Sequence, residues 1–194
     1  HPSGKFFNYV NKHNKYSAQN KTVNLDDANG RAIWALGYLL SLSNILPNKI
    51  VTKAEAIIDK ALAVVDSMHS TRAMAFAVKG IYLYLSTHKS VAKLALLTTF
   101  AVRLANMYKH ENDGKWQWFE SYLTYANSIL PEAMLYAWKL TGKAAYKEIA
   151  LQSFNFLLLQ TFNENGIEVI SNKNWLDVEK NTTIITDGGE QPID

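Results

Sequence analysis

The side chains best suited to chemistry in this sequence stand at the beginnings of alternate predicted helices. The odd-numbered starts carry acids, amides, arginine and aromatic residues: Asp26, Asp27, Asn29 and Arg31; His69, Ser70 and Arg72; Trp116, Trp118 and Glu120; and, before a further expected helix, Asp187, Glu190 and Gln191. The even-numbered starts carry an ordinary solvated set that includes Thr52, Ser90 and Lys143. Alternate helices of an up-and-down array run parallel, so the unusual residues are expected on one face of the protein.

This combination of side chains suits a carbohydrate. Carboxylates and arginine form charge-assisted hydrogen bonds with hydroxyl groups, and flat aromatic rings cover the apolar C–H surface of a pyranose. Hydrolysis of a glycoside needs two carboxyl groups, an acid that protonates the leaving oxygen and a base or nucleophile opposite. The candidate acids are Asp26, Asp27, Glu120, Asp187 and Glu190. The favoured catalytic pair is Glu120 with Asp26 or Asp27, while Arg31 and Trp118 would bind the sugar. Further candidate substrate-binding residues at the same helix starts are Asn29, Trp116, Asp187, Glu190 and Gln191.

The same residues also have purely structural explanations. Acids at a helix N-terminus contribute about 0.5–2 kcal/mol of stability, which accounts for Asp26, Asp27 and Glu120 without a ligand. Arg31 would then pair with a nearby surface carboxylate. Trp116 and Trp118 are two positions apart and cannot share a helix face, which favours one of them facing the site or solvent.

The apolar spacing predicts the elements that position these groups. It is helical from Leu25 to Gln160 and indicates six helices, at about residues 27–45, 53–67, 70–86, 90–109, 118–139 and 143–161. The second is expected to start after Thr52, with Glu55 completing a capping box, and Pro131 would kink or restart the fifth. Because the connections are short, neighbours should be antiparallel, which predicts an all-α fold of three helical hairpins.

The two ends of the chain lack this periodicity. Residues 1–24 are expected to be extended, and residues 162–194 to form an irregular tail of loop or short strand leading to a further helix. Proline is favoured at a first helical position, and Pro192 stands near the last residue. The prediction is a single domain over residues 1–194 whose architecture is incomplete.

Composition argues against several other classes of function. The 194 residues are 48% hydrophobic and 19% charged, with a net charge of +3 and no cysteine, which fits a globular domain without thiol chemistry. No His/Asp/Glu cluster has ligand spacing, so neither a metal nor a cofactor is expected. The lysines are spread along the chain, glycine-rich phosphate loops and serine-hydrolase elbows are missing, and no apolar run reaches the roughly 20 residues of a membrane span. We therefore expect no nucleic acid and no membrane as partner, and a cytoplasmic location.

Three segments resemble bacterial proteins of the six-hairpin α/α-toroid type. They are residues 26–37 (DDANGRAIWALG), residues 116–120 (WQWFE) with 123–133 (LTYANSILPEA), and residues 188–194 (GGEQPID). The corresponding family segments read roughly D-D-x-x-G-R-A-x-W-A-L-G, W-x-W-F-E-x-x-L-T-Y-x-N-A-x-L-P-x-A and G-G-E-x-x-x-x-D-Q-Q-P-I-D. The resemblance spans residues 25–194 and adds Tyr125 and Asn127 as candidate substrate-binding residues. Here Glu190 runs directly into Gln191, so the aspartate that the family has between them is missing.

The resemblance implies a fold and a class of activity. A six-hairpin toroid has about twelve helices, so this chain would form half of a ring, and a C-terminal half-ring or self-association would cover its exposed inner faces. Proteins of this type are described as glycoside-hydrolase-like or glycosyltransferase-associated. The expected function is carbohydrate processing, resembling that of a glycoside hydrolase, with the sugar at the N-terminal ends of the odd-numbered helices. The alternatives are a non-catalytic carbohydrate-binding or accessory module of a glycosyltransferase, and a helical scaffold.

Overall fold

The computed structural model of the chain describes residues 1–164, 166–170 and 175–177. Among them are six α-helices: α1 (Asp26–Ser41), α2 (Asn48–Leu62), α3 (Thr71–Leu85), α4 (Val91–Glu111), α5 (Ile129–Thr141) and α6 (Ala144–Thr161). A 3-10 helix (Ala18–Lys21) precedes α1. Two antiparallel pairs of two-residue strands complete the elements: β1 (Tyr122–Leu123) with β4 (Leu176–Asp177), and β2 (Phe162–Asn163) with β3 (Gly166–Ile167). The chain is therefore mainly helical, as its periodicity predicts.

The chain divides into two compact units, residues 1–100 and residues 101–194. Each unit buries apolar side chains of its own. Those of the first unit include Ile33, Leu40, Ile58, Phe76 and Leu97. Those of the second include Leu104, Trp118, Phe119, Leu130 and Phe156. Within the described part of the chain, none of the helices is both long enough and apolar enough to cross a bilayer.

In the first unit, α1 and α3 pack with their backbones in contact. Gly30 lies against the backbone of Ala73, and Gly37 lies against that of Gly80. Both contacts join residues 43 positions apart, so the two helices run parallel, with their N-terminal ends side by side. Glycine permits this approach because a Cβ at residue 30 would lie 2.5 Å from the Ala73 carbonyl oxygen. The predicted parallel course of the first and third helices is confirmed.

The second helix starts five residues earlier than predicted. α2 begins at Asn48, and the carbonyl of Pro47 accepts hydrogen bonds from the N–H groups of Ile50 at 2.8 Å and Val51 at 3.3 Å. Thr52 consequently lies inside α2, and the expected capping box with Glu55 is wrong. The fixed φ of proline suits a helix start, and Pro47 has a φ of −58°.

The fifth helix is shorter than predicted, because it starts at Ile129 and not at residue 118. Pro131 lies in its first turn, where the missing N–H breaks no helical hydrogen bond. Residues 118–128 form an irregular loop that contains β1. The next connection agrees with the prediction: Gly142 takes a left-handed φ of 70°, and its N–H donates to the Trp138 carbonyl at 2.8 Å. Trp116, Trp118 and Glu120 therefore precede the fifth helix instead of opening it.

Substitution of Gly80 by alanine is expected to destabilise the first unit. The new Cβ would lie 2.5 Å from the carbonyl oxygen of Ile33, and this backbone can yield only by separating α1 from α3. Overpacking of this kind costs about 1–3 kcal/mol and outweighs the gain of up to about 1 kcal/mol from the helix propensity of alanine.

Urea unfolding followed by circular dichroism would measure the loss in the free energy of unfolding for Gly80→Ala. Ala35→Ser is the matched control, because it adds one heavy atom at an exposed position of α1 and should change stability by less than about 0.5 kcal/mol. Equal stability of Gly80→Ala and the unchanged protein would contradict the close packing of the two helices.

Candidate functional site

A cavity of about 520 Å³ lies beside the N-terminal ends of α1 and α3 in the first unit. Its walls come from the N-terminal segment, the start of α1 and the connection between α2 and α3. Both polar and apolar residues line it, among them Phe7, Asn24, Asp26, Ser67, Met68 and His69. The volume is typical of small-molecule sites, which measure about 300–1,000 Å³.

Asp26 joins the start of α1 to the start of α3. Its Oδ2 accepts hydrogen bonds from the backbone N–H groups of His69 at 3.2 Å and Ser70 at 3.4 Å. The Ser70 hydroxyl oxygen in turn accepts from the N–H of Ala73 at 3.5 Å, at the N-cap of α3. The carboxylate therefore lies at the positive end of the α3 dipole. Asp26 thus stabilises a helix N-terminus, as proposed from sequence, but the helix is α3 and not its own helix α1.

Two buried asparagines hold the N-terminal segment that forms one wall of the cavity. Asn29 Oδ1 accepts from the N–H of Phe6 at 2.8 Å, and its Nδ2 donates to the carbonyls of Leu25 at 2.7 Å and Phe6 at 3.3 Å. Asn20 Oδ1 accepts from the N–H of Tyr9 at 2.9 Å, and its Nδ2 donates to the Tyr9 carbonyl at 2.6 Å. Asn29, a predicted substrate-binding residue, thus lines the cavity. Its side-chain amide is already hydrogen-bonded to backbone groups of Phe6 and Leu25.

Asp27 and Arg31 pair with each other one turn apart on α1. Arg31 Nε donates to Asp27 Oδ2 at 2.8 Å, and the Arg31 guanidinium carbon lies 4.3 Å from the centroid of the Phe76 ring. Trp34 stacks on the same ring, with centroids 5.5 Å apart. The residues that line the cavity do not include Asp27 or Arg31. The surface ion pair proposed for Arg31 from sequence is therefore found.

Arg72, in the first turn of α3, has only 4% of its surface exposed. Arginine is almost never buried to this extent without compensating groups. Sequence analysis placed Arg72 at the start of the third helix but not among the site residues. Arg72 differs from the other described residues at the helix starts in being a buried charge, and no sequence pattern indicates this burial.

In the second unit, the loop between α4 and α5 is closed by hydrogen bonds to its own backbone. Asp113 Oδ1 accepts from the N–H groups of Trp116 at 2.7 Å and Lys115 at 2.9 Å. These donors, Trp116 first, lower the pKa of Asp113 below its usual value. The Trp116 indole Nε1 then donates to the Glu120 carbonyl at 2.6 Å. The loop conformation is thus set locally and does not depend on helical periodicity.

Trp116 and Trp118 are both buried in an aromatic cluster. Trp118 is fully buried, meets Phe119 edge to face at 5.5 Å, and has an indole N–H without an acceptor among the described residues. Trp116 meets Phe156 edge to face at 4.9 Å. The expectation that one of the two indoles faces the site or solvent is wrong, because both are buried. They lie in a loop and not on a helix, so the opposite faces of a helix do not separate them.

Tyr108 lies at the edge of this aromatic cluster. The Tyr108 ring lies 5.3 Å from that of Phe119, and its hydroxyl donates to Gln152 Oε1 at 3.0 Å. Burial, followed by the charge of Glu148, raises the pKa of the Tyr108 hydroxyl. Tyr108 is therefore a neutral donor at physiological pH, and its role here is structural.

The other predicted residues of the second unit lie in the same loop. Glu120 is half-buried and lies nine positions before α5, so its explanation as a first-turn residue of a helix is wrong. Tyr125 is half-buried, and Asn127 is buried. The Asn127 amide accepts from the Thr124 N–H at 3.1 Å and donates to the Thr124 carbonyl at 2.7 Å. The structure thus brings Asp26 and Asn29 to the cavity, and Trp116, Trp118, Glu120, Tyr125 and Asn127 to one loop.

Asp187, Glu190 and Gln191 lie outside the described residues. Trp175, which sequence analysis did not select, stacks on Tyr122 with ring centroids 4.9 Å apart. The available signal was a lone tryptophan in a mostly polar segment of the predicted irregular tail.

Comparison of the chain with models of protein families, with curated proteins and with solved structures gave no match. The resemblance to six-hairpin toroid proteins therefore stays a prediction. The chemistry of the chain has to follow from the geometry of its own side chains.

Replacement of Asp26 by alanine is expected to lower the free energy of unfolding by about 0.5–2 kcal/mol, since two backbone N–H groups at the start of α3 lose their acceptor. Asp26→Asn retains an acceptor oxygen and should lose less. Thermal and urea unfolding of both variants would measure the difference. Equal losses would show that the negative charge, and not the pair of hydrogen bonds, holds α3 in place.

Proposed function

We propose that the chain binds a carbohydrate in the cavity at the N-terminal ends of α1 and α3. The observation that supports this is the mixture of groups that line the cavity. Asn24, Asp26 and Ser67 supply donors and acceptors, and Phe7 and Met68 supply apolar surface. A pyranose has hydroxyl edges and C–H faces and needs both kinds of contact. A volume of about 520 Å³ is large enough for a small saccharide.

The hydrogen bonds that the acids at and near this cavity already accept favour binding over hydrolysis. Asp26 Oδ2 already accepts two backbone N–H groups, and Asp27, which is paired with Arg31, is not among the residues that line the cavity. A glycosidase needs one carboxyl group that donates a proton and a second that acts opposite it. Carboxylates already engaged by donors of the protein serve better as acceptors for sugar hydroxyl groups. The cavity is therefore proposed as a binding site, as in the accessory-module alternative.

Glycoside hydrolysis is the second candidate, and the position of Glu120 favours it. Glu120 does not lie in the first turn of a helix, because α5 starts at Ile129. Glu120 instead lies half-buried in a loop that Trp116 and Asp113 hold in place. A carboxyl group held in a loop is a reasonable proton donor if a second acid faces it.

We further infer that the helices belong to an α/α toroid, in which alternate helices run parallel around a ring. The parallel, in-register packing of α1 and α3 supports this proposal. Leu151, Phe154 and Leu158 form an apolar row at helical spacing on α6 and are 38–46% exposed. We propose that further helices of the ring pack on this row. A helical scaffold without a ligand is the remaining alternative.

Ser67→Phe is expected to abolish or strongly weaken sugar binding, because the new ring would fill the cavity that the exposed Ser67 lines. Isothermal titration calorimetry against a panel of neutral disaccharides would measure the affinity, with Ser86→Phe as the matched control. Ser86 is also exposed but lies at the C-terminal end of α3. If the unchanged protein binds none of the panel, the proposed function is lost.

Glu120→Gln separates the two candidate functions. If the chain hydrolyses glycosides through Glu120, loss of the transferable proton should lower kcat by at least about 100-fold, in line with general acid catalysis, while binding persists. Release of reducing ends from an oligosaccharide panel would measure the rate. No cleavage by the unchanged protein, together with equal binding by both proteins, would leave only the binding module.

A further inference from the structure

The β1–β4 pair carries an exposed aromatic stack. The Trp175 indole lies against the Tyr122 ring, with centroids 4.9 Å apart and planes inclined by 27°. Nevertheless 47% of the Trp175 surface is exposed. Trp116 and Trp118 of the same unit are, by contrast, buried, with 9% and 0% of their surfaces exposed. Trp175 therefore presents a large flat surface to solvent while Tyr122 supports it from one side.

The strand register places an acid beside this stack. Tyr122 is directly opposite Asp177 in the antiparallel pair, and Leu123 is opposite Leu176. Directly opposed residues share a face of the ribbon, and residues two apart along an extended strand share it as well. Tyr122, Asp177 and Trp175 are therefore grouped on one face, in agreement with the observed stacking. Glu120 precedes Tyr122 by two positions.

We propose that Trp175, supported by Tyr122, is a stacking platform for the C–H face of a neutral pyranose, and that Asp177 accepts a hydrogen bond from one of its hydroxyl groups. This inference rests on the proposed carbohydrate binding and adds to it a separate contact site in the second unit. The ring that would touch the sugar is already held by its neighbour. Less side-chain freedom is then lost on binding than at an unsupported surface tryptophan.

The carboxylate of Asp177 discriminates among ligands that can stack on Trp175. Nucleobases also stack on exposed tryptophan, but nucleotides carry phosphate groups. Asp177, on the same ribbon face as the stack, would repel these groups. A neutral sugar supplies hydroxyl donors that a carboxylate accepts well. The geometry thus favours a neutral saccharide over a nucleotide or a sugar phosphate.

The platform is tested by calorimetric titration of the full chain with a panel of neutral disaccharides. Trp175→Ala should weaken binding about fivefold to tenfold, as expected for the loss of one aromatic contact, whereas Trp175→Phe keeps a ring on Tyr122 and should stay within about threefold. Phe162→Ala is the control, because Phe162 is 61% exposed on the β2–β3 hairpin of the same unit. Circular dichroism and thermal unfolding confirm that each variant is folded.

The outcomes separate this inference from the proposed cavity. If the unchanged protein binds a disaccharide and Trp175→Ala binds it equally well, the platform is overturned, while loss of binding in Ser67→Phe keeps the cavity. If Trp175→Ala weakens binding and Ser67→Phe does not, the platform is supported and the cavity is wrong. No binding by the unchanged protein overturns both. Tighter binding of glucose 6-phosphate than of any neutral sugar overturns the neutral-ligand assignment.

Discussion

The direct backbone contact between α1 and α3 is the constraint on which the first unit depends. It exists because Gly30, Gly37 and Gly80 offer no side chain at the crossing points. The same offset of 43 positions that joins Gly30 to Ala73 also joins Asp26 to His69. The glycine contacts therefore determine where the two N-terminal ends meet, and the cavity lies beside that meeting point. A change in helix packing would alter the site without touching any residue that lines it.

The second unit positions its polar residues by a different means. Its loop from residue 112 to residue 128 has little regular structure, and Asp113 and Asn127 satisfy its backbone through side-chain hydrogen bonds. An aromatic cluster around Trp118 supplies the apolar contacts that a helix would otherwise make. Such a loop can hold Glu120 partly exposed beside a buried aromatic cluster. This combination of local rigidity and access is typical of functional loops on a stable scaffold.

The sequence predicts the helices well where apolar periodicity is continuous, as in α3, α4 and α6. It fails before α5, because the aromatic residues around Trp118 imitate a helical apolar pattern while their backbone follows side-chain hydrogen bonds. Pro131 marked the true boundary, since proline belongs in a first turn. The wall of the cavity could not be predicted, because it depends on Asn29 reaching Phe6, 23 positions away. Trp175 was missed because its partner Tyr122 is distant in the chain.

The spacing of the helix contacts has a consequence for how this protein can vary during evolution. Gly30 and Gly37 are seven positions apart on α1, as are Ala73 and Gly80 on α3, so each pair lies about two turns apart on one side of its helix. Inserting or deleting one residue between the members of a pair would rotate the second by about 100° and bring a side chain into the crossing. Insertions and deletions in related sequences should therefore be concentrated in residues 42–47 and 63–70, outside α1 and α3.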